Sequence, residues 1–318
     1  MSTMRRLLLL LIGLPLWAQT PSDPNPEAQA KRLRALVAAS PRLPLERLEF
    51  VPQAPREGWA LEMVSSVASD QKGVVYLLQR GDKADPVVAV DREGRVLRSW
   101  GKGLYKIPHS IRIDPSGNVW TVDAASSVVI QFTPQGKKLL EIAVGGQPAG
   151  HPSPFCGTTD IAFAPKGRIF ISDGYANARV LEYTADGKRV REWGTPGTGP
   201  GQFRLPHGIA ADERGVLYVA DRENGRIQRF DLEGKYLGEW SNLGKTFAVT
   251  SAAGALWIGT QPRNEPNGAP GWLMKVDRDT GRVLGYVESV RQHSIEVLPG
   301  GELLTGPGPE RVLWFRRR

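Results

Sequence analysis

Residues 107–114, IPHSIRID, alternate apolar and polar side chains in the manner of a half-buried strand. The stretch overlaps a nine-residue unit ending in glycine, which recurs as SSVASDQKG, HSIRIDPSG, TDIAFAPKG, HGIAADERG, TFAVTSAAG and HSIEVLPGG. The units begin at Ser65, His109, Thr159, His207, Thr246 and His293, at steps of 44, 50, 48, 39 and 47 residues. A second short strand follows each unit, with Tyr76, Trp120, Phe170, Tyr218, Trp257 or Leu304 at its third position. A third strand comes next (VVIQF, RVLEY, RIQRF, WLMKV), then a turn such as DREG or TADG, and usually a fourth strand ending on Trp. Asp-Gly and related pairs close hairpins because they tolerate positive φ. Four antiparallel strands per repeat of this length describe a β-propeller blade. Six repeats predict an all-β fold, one six-bladed β-propeller over residues 45–318.

The final repeat supplies only three strands. The segment LERLEFVPQ, residues 45–53, alternates suitably and is expected to add the fourth, closing the ring and covering its edges. Residues 19–44 form a polar, proline-containing lead with a short helix expected near Glu27–Ala39. Before it, residues 1–18 have two arginines, an apolar run from Leu7 to Trp17 and a small residue at Ala18. This is the layout of a signal peptide and is short for a membrane span, so a secreted or periplasmic protein without a stable span is expected.

Composition adds little beyond this. The formal net charge is +8, which favours acidic ligands, and nucleic-acid binding is not expected. Cys156 is the only cysteine, so no intrachain disulfide can form.

The histidines are more informative. Three of the four, His109, His207 and His293, occupy the first position of repeats two, four and six. Alternate blades of a sixfold ring stand about 120° apart, and three imidazoles at one height near the channel suit a metal site with an open position. Near the ends of the second strands lie Arg80, Tyr175 and Arg222, placed to surround a ligand above that site. An arginine fork suits a carboxylate, and a tyrosine beside a dication and a guanidinium is expected to have a lowered pKa and to act as a base. Asp123, Asp173 and Asp221 recur at equivalent places and are read as loop braces.

With these stretches together, the chain resembles the peptidyl-α-hydroxyglycine α-amidating lyases, a family of NHL-repeat propellers. The likeness rests on QRGD (79–82), GKGLYKIPHSIRID (101–114), PFCGTTDIA (154–162), ISDGYANARV (171–180) and QFRLPHGIAADERGVLYVADRENGRIQRF (202–230). It implies zinc (Zn2+) on His109, His207 and His293, Tyr175 as catalytic base, and Arg80 and Arg222 beside it. It also implies cleavage of the N–Cα bond of a C-terminal α-hydroxyglycine, with a small-molecule or peptide substrate carrying a C-terminal carboxylate.

The chain departs from the family pattern around the third histidine, where Arg291 replaces a methionine and Ser294 an aspartate. That aspartate helps hold a structural calcium (Ca2+) in the family, leaving the carbonyls of Val67 and Ile111 as the matching donors here. The family's two disulfides are absent: Cys156 faces Ala176 in the pattern, and Tyr218 and Arg229 replace the second pair. No companion copper monooxygenase is read in these 318 residues, so hydroxyglycine is expected to come from elsewhere. A monomer is expected. Two other readings compete: a non-enzymatic propeller serving as an extracytoplasmic binding scaffold, and a propeller enzyme of another kind using the same channel mouth.

Overall fold

The structure is a computed structural model that describes residues 24–146, 153–290, 292–306, 308–309 and 312–317. The signal-peptide segment 1–18, His151 and Arg291 lie outside the described residues.

Six four-stranded antiparallel sheets follow one another in chain order, as the repeats predict. Blade 2 is representative, with strands Pro108–Ile113, Val119–Asp123, Val128–Phe132 and Lys138–Ala143 running from the channel outward. In blade 6 the outermost strand is Leu45–Phe50, paired antiparallel to Val312–Arg317, so the N-terminal side closes the ring. A second tie, unforeseen in sequence, is the short strand Gly308–Pro309, which pairs with Met63–Val64 of blade 1.

The blades form because their alternating residues are buried between neighbouring sheets. Trp100, Trp193 and Trp240, at the ends of outer strands, cover the hairpin glycines Gly136, Gly234 and Gly281 of the next blade. A Cβ at those glycines would come within 2.8, 2.9 and 2.4 Å of the indole, and all three have positive φ, so only glycine serves. The aromatic of the second strand also locks its own turn. Tyr76, Trp120 and Tyr218 donate to the carboxylates of Asp70, Asp114 and Asp212, which also accept backbone N–H groups of the same turn.

The helix spans Pro26–Ala38, one residue earlier at each end than expected; the Asn25 side chain caps it and Pro26 opens it. Leu33 and Val37 are buried against blades 4 and 5. Gln29 is fully buried and donates to the carbonyl of Asn224. The helix therefore braces the turn that carries Arg222. No described helix is long and apolar enough to cross a membrane.

Candidate metal centre

The first strand of blades 1 to 5 carries a register break near its start. The residue skipped is Ser65, His109, Thr159, His207 and Phe247 in turn. A bulge leaves one residue out of the ladder and re-aims its side chain. This is why position one of the repeat faces the channel. In blade 5 the skipped residue is Phe247, not Thr246, because that hairpin closes over two residues and counting back from its glycine overshoots by one.

The bulges also supply acceptors. His109 Nδ1 lies 2.6 Å from the Thr159 carbonyl, His207 Nδ1 2.7 Å from that of Phe247, and His293 Nδ1 2.8 Å from that of Ser65. Each histidine is thus held by the bulge of the following blade. Donation through Nδ1–H fixes the tautomer and leaves the Nε2 lone pair for a ligand. One ligating atom from each of the three histidines lies within 4.8 Å of the others. Burial, then repulsion from His293, His207 and Arg80, holds the pKa of His109 well below its usual value. Burial and Arg222 do the same for His207. Neutral imidazoles of fixed tautomer are the form that binds a metal, so these residues fit a divalent cation.

A pocket of about 440 Å³ opens over His207 and His293, lined also by Met63, Arg80, Phe155, Tyr175, Arg222 and Phe247, with His109 buried beneath Tyr175. Tyr175 Oη lies 2.9 Å from His109 Nε2 and 3.2 Å from His207 Nε2. It is held there by Gly174, where a Cβ would stand 2.2 Å from the Pro206 carbonyl. The guanidinium part of the pKa expectation for this phenol is present, but without a bound cation it does not prevail. Burial raises it above the ordinary value, and Arg222 and Arg80 pull it back only in part.

The two arginines differ. Arg222 is nearly buried, donates to Glu223 at 2.8 Å and lies over the Phe247 ring. Arg80 lies over the Phe155 ring and donates through Nε to the Pro108 carbonyl at 2.8 Å, but its buried Nη2 has no partner. A buried donor left unpaired is costly, so Arg80 is the guanidinium poised for an incoming anion.

The three aspartates are braces, as read from their recurrence. Asp123 accepts the N–H groups of Lys106, Ile107, Ala125 and Ser126; Asp173 binds Arg179 and Asn177; Asp221 binds Arg204 N–H, Asn224 and Arg226. Sequence reasoning missed Phe155 and Phe247. The first sits beside Cys156 in PFCGTTDIA, and the second becomes visible only once the bulge is located. The Cys156 thiol contacts the Ala125 carbonyl. Tyr218 and Arg229, at the absent second disulfide, are direct cross-strand partners.

Below the histidines a calcium does not fit. Arg112, next to Ile111, sends its guanidinium across the channel. It forms a two-pronged bond to Asp160 (3.1 and 2.6 Å) and reaches the carbonyls of Ile295 at 3.4 Å and Val249 at 3.5 Å. Ser294 is already engaged: its hydroxyl accepts Gly306 N–H and its carbonyl accepts Thr305 Oγ1. A fixed positive charge next to Ile111, with no carboxylate at 294, opposes a second cation there.

Comparison with known proteins agrees with the resemblance read from sequence. Residues 203–230 match the NHL repeat. The peptidyl-glycine alpha-amidating monooxygenase of Mus musculus is 32% identical over 293 residues, 79% of this chain and 30% of that protein. The chain thus spans about a third of the length of that relative. A probable peptidyl-alpha-hydroxyglycine alpha-amidating lyase of Caenorhabditis elegans is 28% identical over 249 residues, 72% of this chain and 69% of that protein. Among solved structures, a streptogramin B lyase superposes with a TM-score of 0.59 at 18% identity, covering 86% of this chain and 98% of that one, which speaks for the fold alone.

Proposed function

We propose that the protein is an exported, metal-dependent carbon–nitrogen lyase. It cleaves the N–Cα bond of a peptidyl-α-hydroxyglycine or a related carbinolamide, giving an amide and glyoxylate. The observation that carries this reading is the meeting of three imidazole Nε2 atoms, a phenol and an unpartnered guanidinium nitrogen at one pocket. Relatives named for this activity support it. Export rests on the layout of residues 1–18.

His109, His207 and His293 would hold the metal, with zinc favoured by an all-imidazole donor set. Bound there, it would supply Lewis acidity toward the substrate's hydroxyl and a positive charge that favours the phenolate of Tyr175. Arg80 takes the substrate carboxylate through Nη2 and thereby orients the Cα–OH bond toward the histidines. Tyr175 Oη accepts the hydroxyl proton while the C–O bond becomes a carbonyl and the N–Cα bond breaks. The electron pair of that bond goes to the amide nitrogen, which takes the proton back from Tyr175. Arg222, tied to Glu223, keeps a positive charge beside the phenolate. Phe155 and Phe247 cover the site and restrict water.

The test is the product ratio from α-hydroxyhippurate. Benzamide and glyoxylate in equal amounts are expected; absence of both from metal-replete protein would overturn the reading and favour a non-enzymatic binding scaffold.

A further inference from the structure

Beside the pocket, on the other side of Arg80, lies a second depression of about 710 Å³ between blades 1 and 2. Five cationic side chains line it: Arg56, Arg80, Lys83, Lys102 and Lys106. Among the described residues none of the five is joined to a carboxylate in an ion pair. Elsewhere on the surface the arginines are mostly paired, as Arg95 with Asp91, Arg214 with Asp279 and Arg278 with Glu213. Only two carboxylates line the depression, and Asp85 is bonded to Ser99 Oγ. Glu62, just outside it, accepts the N–H groups of Asp82 and Lys83 and so fixes the loop that presents Lys83. The opposite wall is fixed too, because Asp123 accepts the N–H groups of Lys106 and Ile107. A held groove of like charges is unfavourable by itself and is relieved by an anionic occupant.

The position of the groove relates it to the site. Arg80 lines both cavities, and its Nε bond to the Pro108 carbonyl forms the divide, one residue from His109. On the lyase reading, Arg80 anchors the terminal carboxylate, and the body of a peptide substrate must leave the 440 Å³ pocket. We propose that it leaves across Arg80 into this groove, which recognises acidic residues upstream of the hydroxyglycine. The preferred substrates are then acidic peptides. This inference rests on the lyase reading for its place in catalysis, but its binding half can be tested alone.

Two measurements keep the outcomes apart. In the first, fluorescein-labelled peptide amides, one Glu-rich and one Lys-rich, are titrated with the intact protein and followed by polarisation. The acidic peptide should bind about tenfold tighter at low salt, with the difference collapsing near 0.5 M salt. The double variant Lys83→Glu/Lys102→Glu should abolish the preference. In the second, kcat/KM is compared for Glu-containing and Lys-containing peptidyl-α-hydroxyglycines and for α-hydroxyhippurate. The double variant should lower only the acidic-peptide value and leave the small substrate unchanged. Equal binding of the two peptides, or a preference that survives the double variant, overturns the groove assignment. Tight acidic-peptide binding with no cleavage of α-hydroxyhippurate sinks the lyase reading and leaves the groove as an acidic-peptide site.

Discussion

At the scale of single residues, the two arginines separate by what their nitrogens already bind. Arg80 has a buried Nη2 without a partner, whereas Arg222 is engaged with Glu223. Arg80→Lys keeps the charge but loses the planar fork, so kcat/KM should fall about 100-fold, mostly through KM; steady-state kinetics on α-hydroxyhippurate checks this. Glu296 makes a separate prediction about stability. Burial in the channel raises its pKa to about 7, against the pull of Ser69 and Arg112. The folded state therefore binds the extra proton, and its stability falls as pH rises from the ordinary carboxyl range through about 7. Glu296→Gln should gain about 2–3 kcal/mol at pH 8 relative to wild type and little at pH 4, read from urea midpoints. Recurrence made His109, His207 and His293 legible in the sequence, since a repeat position can be compared with its five counterparts. The rise in the phenol pKa of Tyr175 was not legible. Guanidinium neighbours can be guessed from spacing, but the desolvation that outweighs them depends on Phe155 and the channel walls closing over the ring.

At the scale of elements, the bulge is the device that turns a repeat position into a ligand position. Its acceptor carbonyl comes from the next blade, so the site depends on the spacing between blades. Gly174 sets one such spacing, because its missing Cβ lets Tyr175 lie against Pro206 and His207. Gly174→Ala should push these strands apart, cost about 1–3 kcal/mol and reduce glyoxylate release more than tenfold. Thermal melts and initial rates would show both effects; a variant with unchanged rates would mean that the phenol's position is set elsewhere. The strands themselves were readable from alternation and turn chemistry. The shift from Thr246 to Phe247 was not, since a bulge is defined by the partner strand's register. Nor was the seat of the helix: the sequence shows Leu33 and Val37 on one face but not which blade they cover.

At the scale of the whole molecule, the ring is closed at its rim and at its axis. The rim closure is Leu45–Phe50 on Val312–Arg317. At the axis, Arg112 of blade 2 binds Asp160 of blade 3, whose carboxylate also accepts Ile209 N–H of blade 4. The same guanidinium reaches the carbonyls of Val249 in blade 5 and Ile295 in blade 6, and Glu296 binds Ser69 of blade 1. A side-chain cation thus does what a central metal ion would do. Arg112→Met leaves Asp160 buried without its partner and should cost about 3–5 kcal/mol, whereas millimolar calcium should leave the melting temperature of the wild type unchanged. A clear rise with calcium would show that the axis still takes the ion. The six-bladed architecture followed from counting repeats, whereas this axial network joins residues 48 to 227 apart and is visible only once the ring is closed.

The central claim is that one metal on three alternate-blade histidines makes this propeller a lyase. The direct measurement is the rate of glyoxylate release from α-hydroxyhippurate as stripped protein is titrated with zinc. The account predicts no release without metal, a linear rise that saturates at one zinc per chain, and no rise in His207→Ala. Full activity in the stripped protein, or none at saturation, would contradict it.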